Sequence, residues 1–289
     1  MEIRAVKPLV WNFRIVGGRD AWREVVYSAR LSGVPENLEE EEVFRMMVRN
    51  DYGSALEHIV IKFDVKMSKG MAPEFLEHRI VSHTGFSTRY LKADEGIEKE
   101  KRVYEVIVPW HLLGRKEDDP FVKGFWRVVE ECLREYERML EGGLPREAAR
   151  YLLPFCQAVG IYHVTMNLRS LLNLLGLRLC VRASPEFRCL ASQLYFLLLE
   201  NLPLLRGLVG CRGFMLRVCP EEGVTGVRSG KPHPFYPPCP FRNPKSKIFL
   251  PTKGEKPSSF DPSKALKVQE ELFLQWASWG EKPSREPRS

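Results

Sequence analysis

The sequence has few long apolar runs, and none reaches the roughly 18 residues that a helix needs to cross a bilayer. Its first residues, MEIRAVKPLVW, also lack the apolar segment and cleavage site of a secretory signal. The seven cysteines are odd in number and spread over 289 residues, which argues against a disulfide framework. These absences predict a cytoplasmic protein with no membrane partner.

The usual signatures of nucleic-acid binding are also missing. The sequence shows no arginine-glycine tract, no zinc-finger spacing, no basic amphipathic helix and no internal repeat. The formal net charge of +7 nevertheless indicates an anionic partner, for which phosphorylated small molecules and nucleic acid both qualify. The length and the 44% share of hydrophobic residues suit one large globular domain, or one domain with an appendage.

Hydrophobic periodicity predicts a few strands among many helices. Strands are expected over 1–11, 56–67 and 103–109, and helices over 21–31, 35–49, 70–76, 120–141, 146–153, 161–175 and 185–200. The order is not a regular alternation of strand and helix, so the pattern predicts the α+β class.

The composition changes after residue 207 and becomes rich in Pro, Gly, Lys and Ser. We therefore expect a domain over 1–207 and an extension over 208–289, with a Pro/Cys-rich arm, a helix over 265–279 and a disordered tail over 280–289. The arm could bind single-stranded nucleic acid or wrap a neighbouring subunit. Cys211, Cys219, His233 and Cys239 are a valid zinc set in type, but their spacing matches no compact zinc module, so we interpret them as ordinary core or free thiols and predict no metal site, with zinc as the alternative.

The stretch from Glu74 to Tyr90, EFLEHRIVSHTGFSTRY, holds the highest density of cationic and hydrogen-bonding groups. Such groups beside a core strand are expensive to bury unless an anion receives them. The alternative interpretation is a solvated helix end followed by a tight turn at Gly85.

This stretch resembles the signature of the flavin-dependent thymidylate synthases, Arg-His-Arg, seven residues, Ser, and then Arg-Tyr. Here His78-Arg79 precedes Ser87-Thr88-Arg89-Tyr90 at that spacing, with Glu77 in place of the first Arg. Three further segments are similar to the family in order and spacing: SALEH (54–58), PREAARYLLP (145–154) and NLRSLLNLLGLR (167–178). The resemblance covers roughly residues 20 to 200.

The resemblance implies a helix-rich domain around a small, mostly antiparallel sheet. It also implies reductive methylation of dUMP at C5, with FAD as cofactor and with NADPH and methylenetetrahydrofolate, or a related pterin, as cosubstrates. A homotetramer with sites at subunit contacts is expected.

Site residues follow from the matched positions. The resemblance assigns substrate binding to Glu74, Ser87, Thr88, Arg89, Arg150 and Arg178. It assigns cofactor binding to Ser54, His78, Arg79, Asn167, Arg169 and Asn173. Arginines suit phosphate because the guanidinium forms paired, charge-assisted hydrogen bonds. Arg178 is the implied catalytic group, because a cation beside the base stabilises the charge left when the N3 proton is lost and so activates C5.

No enzymic nucleophile is then required, and Cys156 is interpreted as a small buried hydrophobic residue.

Several positions depart from the family pattern. Glu77 replaces an Arg, Glu74 a usual Gln, and Thr84-Gly85 a usual Asn-Glu. Arg182 and Ser184 stand where His and Gln are common. These departures leave two alternatives open: a paralogue that modifies another pyrimidine nucleotide or a nucleic-acid base, and a nucleotide-binding homologue without flavin.

Overall fold

A four-stranded antiparallel sheet lies at the centre of the computed structural model, which describes residues 1–94, 103–221, 238–252 and 260–280. The strands are β1 (Glu2–Val6), β2 (Leu9–Ile15), β3 (Val60–Met67), β4 (Val81–Gly85), β5 (Val103–Ile107) and β6 (Gly160–Asn167). The sheet order is β2-β3-β6-β4, while β1 and β5 form a separate parallel pair. The predicted α+β class with a mostly antiparallel sheet is confirmed.

The alternation predicted for β3 is confirmed. Ile61, Phe63 and Val65 are fully buried, while Lys62 and Asp64 on the other face are partly exposed. The strand begins later than predicted, because the preceding residues form a short helix that ends at Leu56. Two strands and not one occupy the N-terminal segment, since Lys7 and Pro8 separate β1 from β2.

Helices cover both ends of the sheet. They are α1 (Trp22–Leu31), α2 (Glu40–Arg49), α3 (Gly53–Leu56), α4 (Ala72–Leu76), α5 (Pro120–Glu141), α6 (Arg146–Ala149), α7 (Leu168–Arg178), α8 (Pro185–Asn201), α9 (Arg212–Leu216) and α10 (Pro262–Ala277). Asp119 caps α5 by accepting a hydrogen bond from the Phe121 amide at 2.8 Å, as expected for Asp before a helical run.

The helix predicted over 161–175 is wrong in its first half. Gly160–Asn167 is instead β6, which pairs with β3 over its whole length and with β4 on its other side. The β-branched residues Ile161, Val164 and Thr165 favour a strand. Pairing with the two neighbouring strands, β3 and β4, outweighs the helical periodicity of the apolar residues. Asn167 ends the strand and caps α7, so strand and helix meet at one residue.

The tight turn predicted at Gly85 does not occur there, because Gly85 is the last residue of β4 and pairs with Tyr162. Its backbone is not left-handed, so a turn is not the reason for glycine. A Cβ at this position would lie 2.5 Å from Cε1 of the Tyr162 ring. Glycine is therefore required by the close approach of an aromatic side chain.

Helix α8 links the sheet to the C-terminal part of the chain. Phe187, Leu190 and Leu194 are buried in the main core. Helix α10, which covers most of the helix predicted over 265–279, packs on α8: the Phe273 ring lies 5.0 Å from that of Tyr195. The division at residue 207 stays a prediction, and residues 281–289 of the predicted tail lie outside the described residues.

No helix within the described ranges is both long and apolar enough to cross a bilayer.

Candidate functional site

The side chain of Arg178 lies at the centre of a polar cluster where α7 meets the residues after α4. Its Nε donates to Nε2 of His78 at 2.9 Å, and its Nη1 donates to a carboxylate oxygen of Glu74. The other oxygen of Glu74 accepts from the Ser184 hydroxyl at 3.0 Å. The Arg178 and Glu74 side chains are 21% and 30% exposed, so the pair is reachable from solvent but shielded by the protein.

The ring of Phe187 packs against this cluster. The Arg178 guanidinium lies 4.6 Å from the Phe187 ring centre, a cation–π distance. The His78 ring meets the same phenyl edge-on at 5.4 Å. We call Glu74, His78, Arg178, Ser184 and Phe187 the Arg178 cluster.

His78 is neutral in this environment. Burial first, and then the positive charge of Arg178, lower the pKa of His78 to about 4. A neutral imidazole can accept the N–H of Arg178, whereas an imidazolium has no lone pair to offer. The arrangement around Arg178 is therefore maintained at neutral pH.

Predicted phosphate-binding residues lie on a different part of the surface. Arg89 forms an ion pair with Glu147 at 3.4 Å, and both side chains are about half exposed. Arg146 donates to the Tyr90 carbonyl oxygen at 3.4 Å, so the segment after β4 contacts helix α6, directly before Arg150. Thr88 is buried, whereas Ser87 is half-buried near the same surface.

Arg89 and Arg150 each lie near an exposed aromatic ring. Arg89 is 5.5 Å from the Tyr90 ring and Arg150 is 5.8 Å from that of Tyr151. These rings are 70% and 79% exposed. Among the described contacts, no hydrogen bond or ion pair connects this group to the Arg178 cluster.

Three of the predicted cofactor residues line one cavity of about 470 Å³ beside α7. They are Arg79, Arg169 and Asn173. Arg169 lies over Gly53, whose missing side chain leaves room for the guanidinium, and it forms an ion pair with Glu57 at 2.8 Å. We call this space the arginine-lined cavity.

Other predicted cofactor residues lie elsewhere. The Asn167 side chain accepts from the Ser170 amide at 2.8 Å and caps α7. His78 belongs to the Arg178 cluster, and Ser54 is exposed on α3 next to Gly53. The cofactor roles of these three residues stay predictions.

The sequence reasoning missed three cations of the arginine-lined cavity: Arg49, Arg212 and Arg217. Arg217 has a left-handed backbone, and its guanidinium lies 4.7 Å from the ring centres of Phe214 and Phe260. Burial first, and then the charge of Arg49, lower the pKa of Arg217. Arg212 donates to the Asn173 side chain. No motif marks them; only Arg212 and Arg217, at the two ends of α9, are close in sequence, while Arg49 ends α2.

Backbone strain is present at the same cavity. Ile80, next to Arg79, has φ +56° and is 67% exposed. A β-branched residue rarely adopts this conformation, and such strain is concentrated at ligand sites.

The fold thus provides three separate features: the Arg178 cluster, the arginine-lined cavity, and two arginines, Arg89 and Arg150, that each lie beside an exposed aromatic ring. A family model described as "Thymidylate synthase complementing protein" matches residues 18–204, more than half of the chain.

Two relatives named "Flavin-dependent thymidylate synthase" match over most of their length. The one from Thermotoga neapolitana is 33% identical over 184 residues, which are 62% of this chain and 81% of that protein. The one from Thermococcus onnurineus is 32% identical, covering 64% and 76%. A third, from Saccharolobus solfataricus, is 34% identical over 52% of this chain, which spans only about half of that relative (54%).

Among solved structures, the chain is similar to the "UMP/dUMP methylase PolB from Streptomyces cacaoi bound with 5-Br dUMP". The TM-score is 0.55 and the identity 24%, over 71% of this chain and 94% of that one. At this identity the likeness concerns the fold. The matched family model and the two relatives from Thermotoga and Thermococcus lead to one conclusion: the chain belongs to the thymidylate synthase complementing protein family of flavin-dependent thymidylate synthases.

Proposed function

We propose that this protein methylates a pyrimidine nucleotide at C5, with dUMP as the substrate, FAD as the cofactor, and NADPH and methylenetetrahydrofolate, or a related pterin, as cosubstrates. The observation that carries the proposal is the placement of Arg178. Its guanidinium is held on three sides by Glu74, His78 and Phe187. A fixed cation of this kind suits a reaction in which charge develops on a bound base.

One nitrogen of the Arg178 guanidinium, Nη2, is available to a ligand. Nε and Nη1 are engaged, and Nη2 makes no hydrogen bond among the described residues. When Nη2 donates a hydrogen bond to the base, it stabilises the negative charge that forms as the N3 proton leaves. The electron density then reaches C5, which becomes the nucleophile towards the one-carbon unit.

No cysteine is needed for this chemistry. Burial raises the pKa of the Cys156 thiol to about 11, so it is protonated at neutral pH. A protonated thiol is a poor nucleophile. This supports activation of the base by charge and argues against a covalent enzyme intermediate.

The arginine-lined cavity fits the diphosphate of FAD in its donor chemistry. Guanidinium groups bind phosphate oxygens with paired hydrogen bonds, and five arginines line this cavity with Asp51 as its one acidic residue among the described lining. A flavin bound there supplies the reducing equivalents that complete the methyl group. Arg212 and Arg217, from the extension, offer the positive charge that the family signature loses at Glu77.

The same proposal includes a cytoplasmic homotetramer with sites shared between subunits. Tyr90, Tyr151 and Phe155 are large aromatics that are 70–79% exposed near the phosphate-side arginines. Exposed aromatic patches of this kind mark contact surfaces. Light scattering on the purified chain tests it: a tetramer mass supports the assembly, and a monomer contradicts it.

The first experiment is an absorption spectrum of the purified full chain, before and after addition of FAD and then dUMP. A flavin spectrum that shifts on dUMP addition supports one site for both ligands. Conversion of dUMP to dTMP with NADPH and methylenetetrahydrofolate, followed by mass spectrometry, tests the reaction. No flavin binding under any condition overturns the enzyme proposal and favours a nucleotide-binding homologue.

A second substrate is favoured by one observation. Glu74 places a carboxylate beside the base-side arginine, and a carboxylate accepts readily from the exocyclic amino group of cytosine. UMP is added because the solved neighbour is described as a UMP/dUMP methylase. The assay is therefore run with dUMP, UMP and dCMP in parallel; the nucleotide with the highest kcat/KM is the substrate, and a rate confined to dCMP replaces dUMP in the proposal.

A further inference from the structure

Four cysteines distant in sequence line a second, smaller cavity of about 80 Å³. Cys180 follows α7, Cys211 precedes α9, Cys219 follows α9, and Cys239 directly precedes a short 3-10 helix over Pro240–Arg242. We call this space the thiol cavity. Four of the seven cysteines of the chain therefore meet at one place, and only the fold brings them there.

The surroundings of these thiols are mainly apolar. Leu179, Phe241, Leu250 and Phe273 belong to the cavity lining. The side chains of Cys180, Cys211 and Cys239 pack against the main hydrophobic core. Thiols in such surroundings form only weak hydrogen bonds and gain little from gathering at one point.

Neutral thiols of this kind ionise when a metal replaces their protons. The metal cation stabilises the thiolates that the apolar lining disfavours, and the displaced protons go to solvent. Four thiolates are a standard ligand set for both zinc and iron–sulfur clusters. Either centre would carry a net negative charge with them; the described lining holds one cation, Arg212, and one carboxylate, Glu221, which is paired with Arg182.

We propose that Cys180, Cys211, Cys219 and Cys239 bind a thiophilic metal centre, an iron–sulfur cluster or a zinc ion. The thiol cavity shares Arg212 with the arginine-lined cavity, but none of its cysteines is among the described residues that line that cavity, and the proposal does not depend on the proposed reaction. It links the extension, which supplies Cys211, Cys219 and Cys239, to the end of α7, because Cys180 lies two residues after Arg178.

The distances between the sulfur atoms distinguish a zinc site from an iron–sulfur site. A zinc ion with Zn–S bonds of about 2.3 Å needs sulfur atoms about 3.8 Å apart. In the part of the chain that the structure describes, no three His, Cys, Asp or Glu side chains are placed to hold one metal ion. Zinc binding therefore requires the four side chains to rotate towards the cavity, whereas an iron–sulfur cluster is larger and holds its ligands further apart.

The test is the metal content of the full-length chain, purified without oxygen and, in parallel, reconstituted with zinc or with iron and sulfide. We expect one centre per chain, read either as one zinc or as about four irons with about four acid-labile sulfides. Flavin is released and counted separately, so its spectrum does not interfere. A chain that retains neither zinc nor iron after reconstitution overturns the proposal.

Variants locate the centre. C180S and C239S are expected to lose at least half of the bound metal, while the matched control C132S, on α5 outside the thiol cavity, keeps it. Equal metal content in all three variants also overturns the proposal. If C180S or C239S does not fold, alkylation of the wild type decides: a chelator should expose four additional reactive thiols, and an unchanged thiol count contradicts the site.

Discussion

Arg178 and Arg89 are both assigned to the nucleotide by resemblance, yet the chain holds them in different ways. Arg178 has two protein hydrogen-bond acceptors and an aromatic ring beneath it, and its side chain is 21% exposed. Arg89 has one ion pair, at 3.4 Å, and is 48% exposed. The first arginine is oriented by three contacts with the protein, whereas the second is held by an exposed ion pair and lies beside an exposed ring.

The difference indicates a division of labour. Electrostatic catalysis depends on groups that need no reorganisation when charge develops, which describes Arg178. A phosphate anchor needs only to bind, and an exposed ion pair contributes roughly 0–1 kcal/mol, so exchange of Glu147 for phosphate costs little. Arg178 should then affect turnover, and Arg89 should affect affinity.

The largest expected effect is that of Arg178→Ala. Loss of one preorganised donor in such a site lowers kcat by about 100- to 1,000-fold. Flavin content should stay unchanged, because Arg178 does not line the arginine-lined cavity among its described residues. Turnover is measured as dTMP formed under saturating dUMP, with flavin counted on the same sample.

Arg134→Ala is the matched control, since Arg134 is an exposed residue of α5 paired with Glu130. It should keep wild-type turnover. If Arg178→Ala also keeps wild-type turnover, Arg178 has no role in activation of the base.

The next effect is that of Arg89→Ala, which should raise KM for the nucleotide and leave kcat nearly unchanged. A hydrogen bond to a charged group is worth about 1.5–3 kcal/mol, which corresponds to about a 10- to 100-fold rise in KM. Inorganic phosphate competition provides a second readout, because a lost phosphate anchor weakens phosphate inhibition. A fall in kcat with KM unchanged would erase the distinction between the two arginines.

A smaller effect is expected from Glu74→Gln, which tests whether the ion pair holds Arg178 in position. The amide can keep a contact with Ser184 but no longer forms an ion pair with the guanidinium. A partly exposed pair of this kind is worth up to about 1 kcal/mol, so we expect kcat to fall by about fivefold. A more than tenfold fall in kcat would show instead that the carboxylate itself takes part in the reaction or in substrate recognition.

Much of this site could be predicted from the sequence, but the division of its residues among separate clusters could not. Motif spacing brought Glu74, His78 and Arg178 into one hypothesis, and the fold places them in direct contact. The role of each residue depends on its neighbours. His78, predicted beside the cofactor, contacts Arg178, and Asn167, predicted likewise, caps a helix.

Two structural features escaped the sequence reasoning for physical reasons. β6 has an apolar pattern that fits a helix, and only pairing with β3 and β4 decides for a strand. Arg212 and Arg217 lie after residue 207, where composition alone suggested an arm, yet they line the same cavity as Arg79 and Arg169. Long-range proximity of this kind is invisible to local periodicity.

The smallest expected effect concerns how the stability of the folded protein depends on pH. Burial and Arg178 lower the pKa of His78 to about 4, below its usual value near 6.5. Between these values the unfolded chain binds more protons at this residue than the folded chain, so its contribution to stability is complete above about pH 6.5 and is lost as the pH falls towards 4.

We therefore expect the free energy of unfolding, measured by urea titration, to fall more steeply between pH 6.5 and 4.5 in the wild type than in His78→Gln. Glutamine keeps an acceptor for Arg178 and cannot be protonated in this range. Glu186, a buried carboxyl whose pKa burial raises, titrates in both proteins, so the difference between them isolates His78. Because an imidazolium cannot accept from Arg178, turnover of the wild type should fall only as the pH approaches 4, where His78 of the folded chain takes up a proton. Parallel pH profiles for the two proteins would mean that the Arg178–His78 contact does not orient the guanidinium, and Arg178 would then be no better held than Arg89.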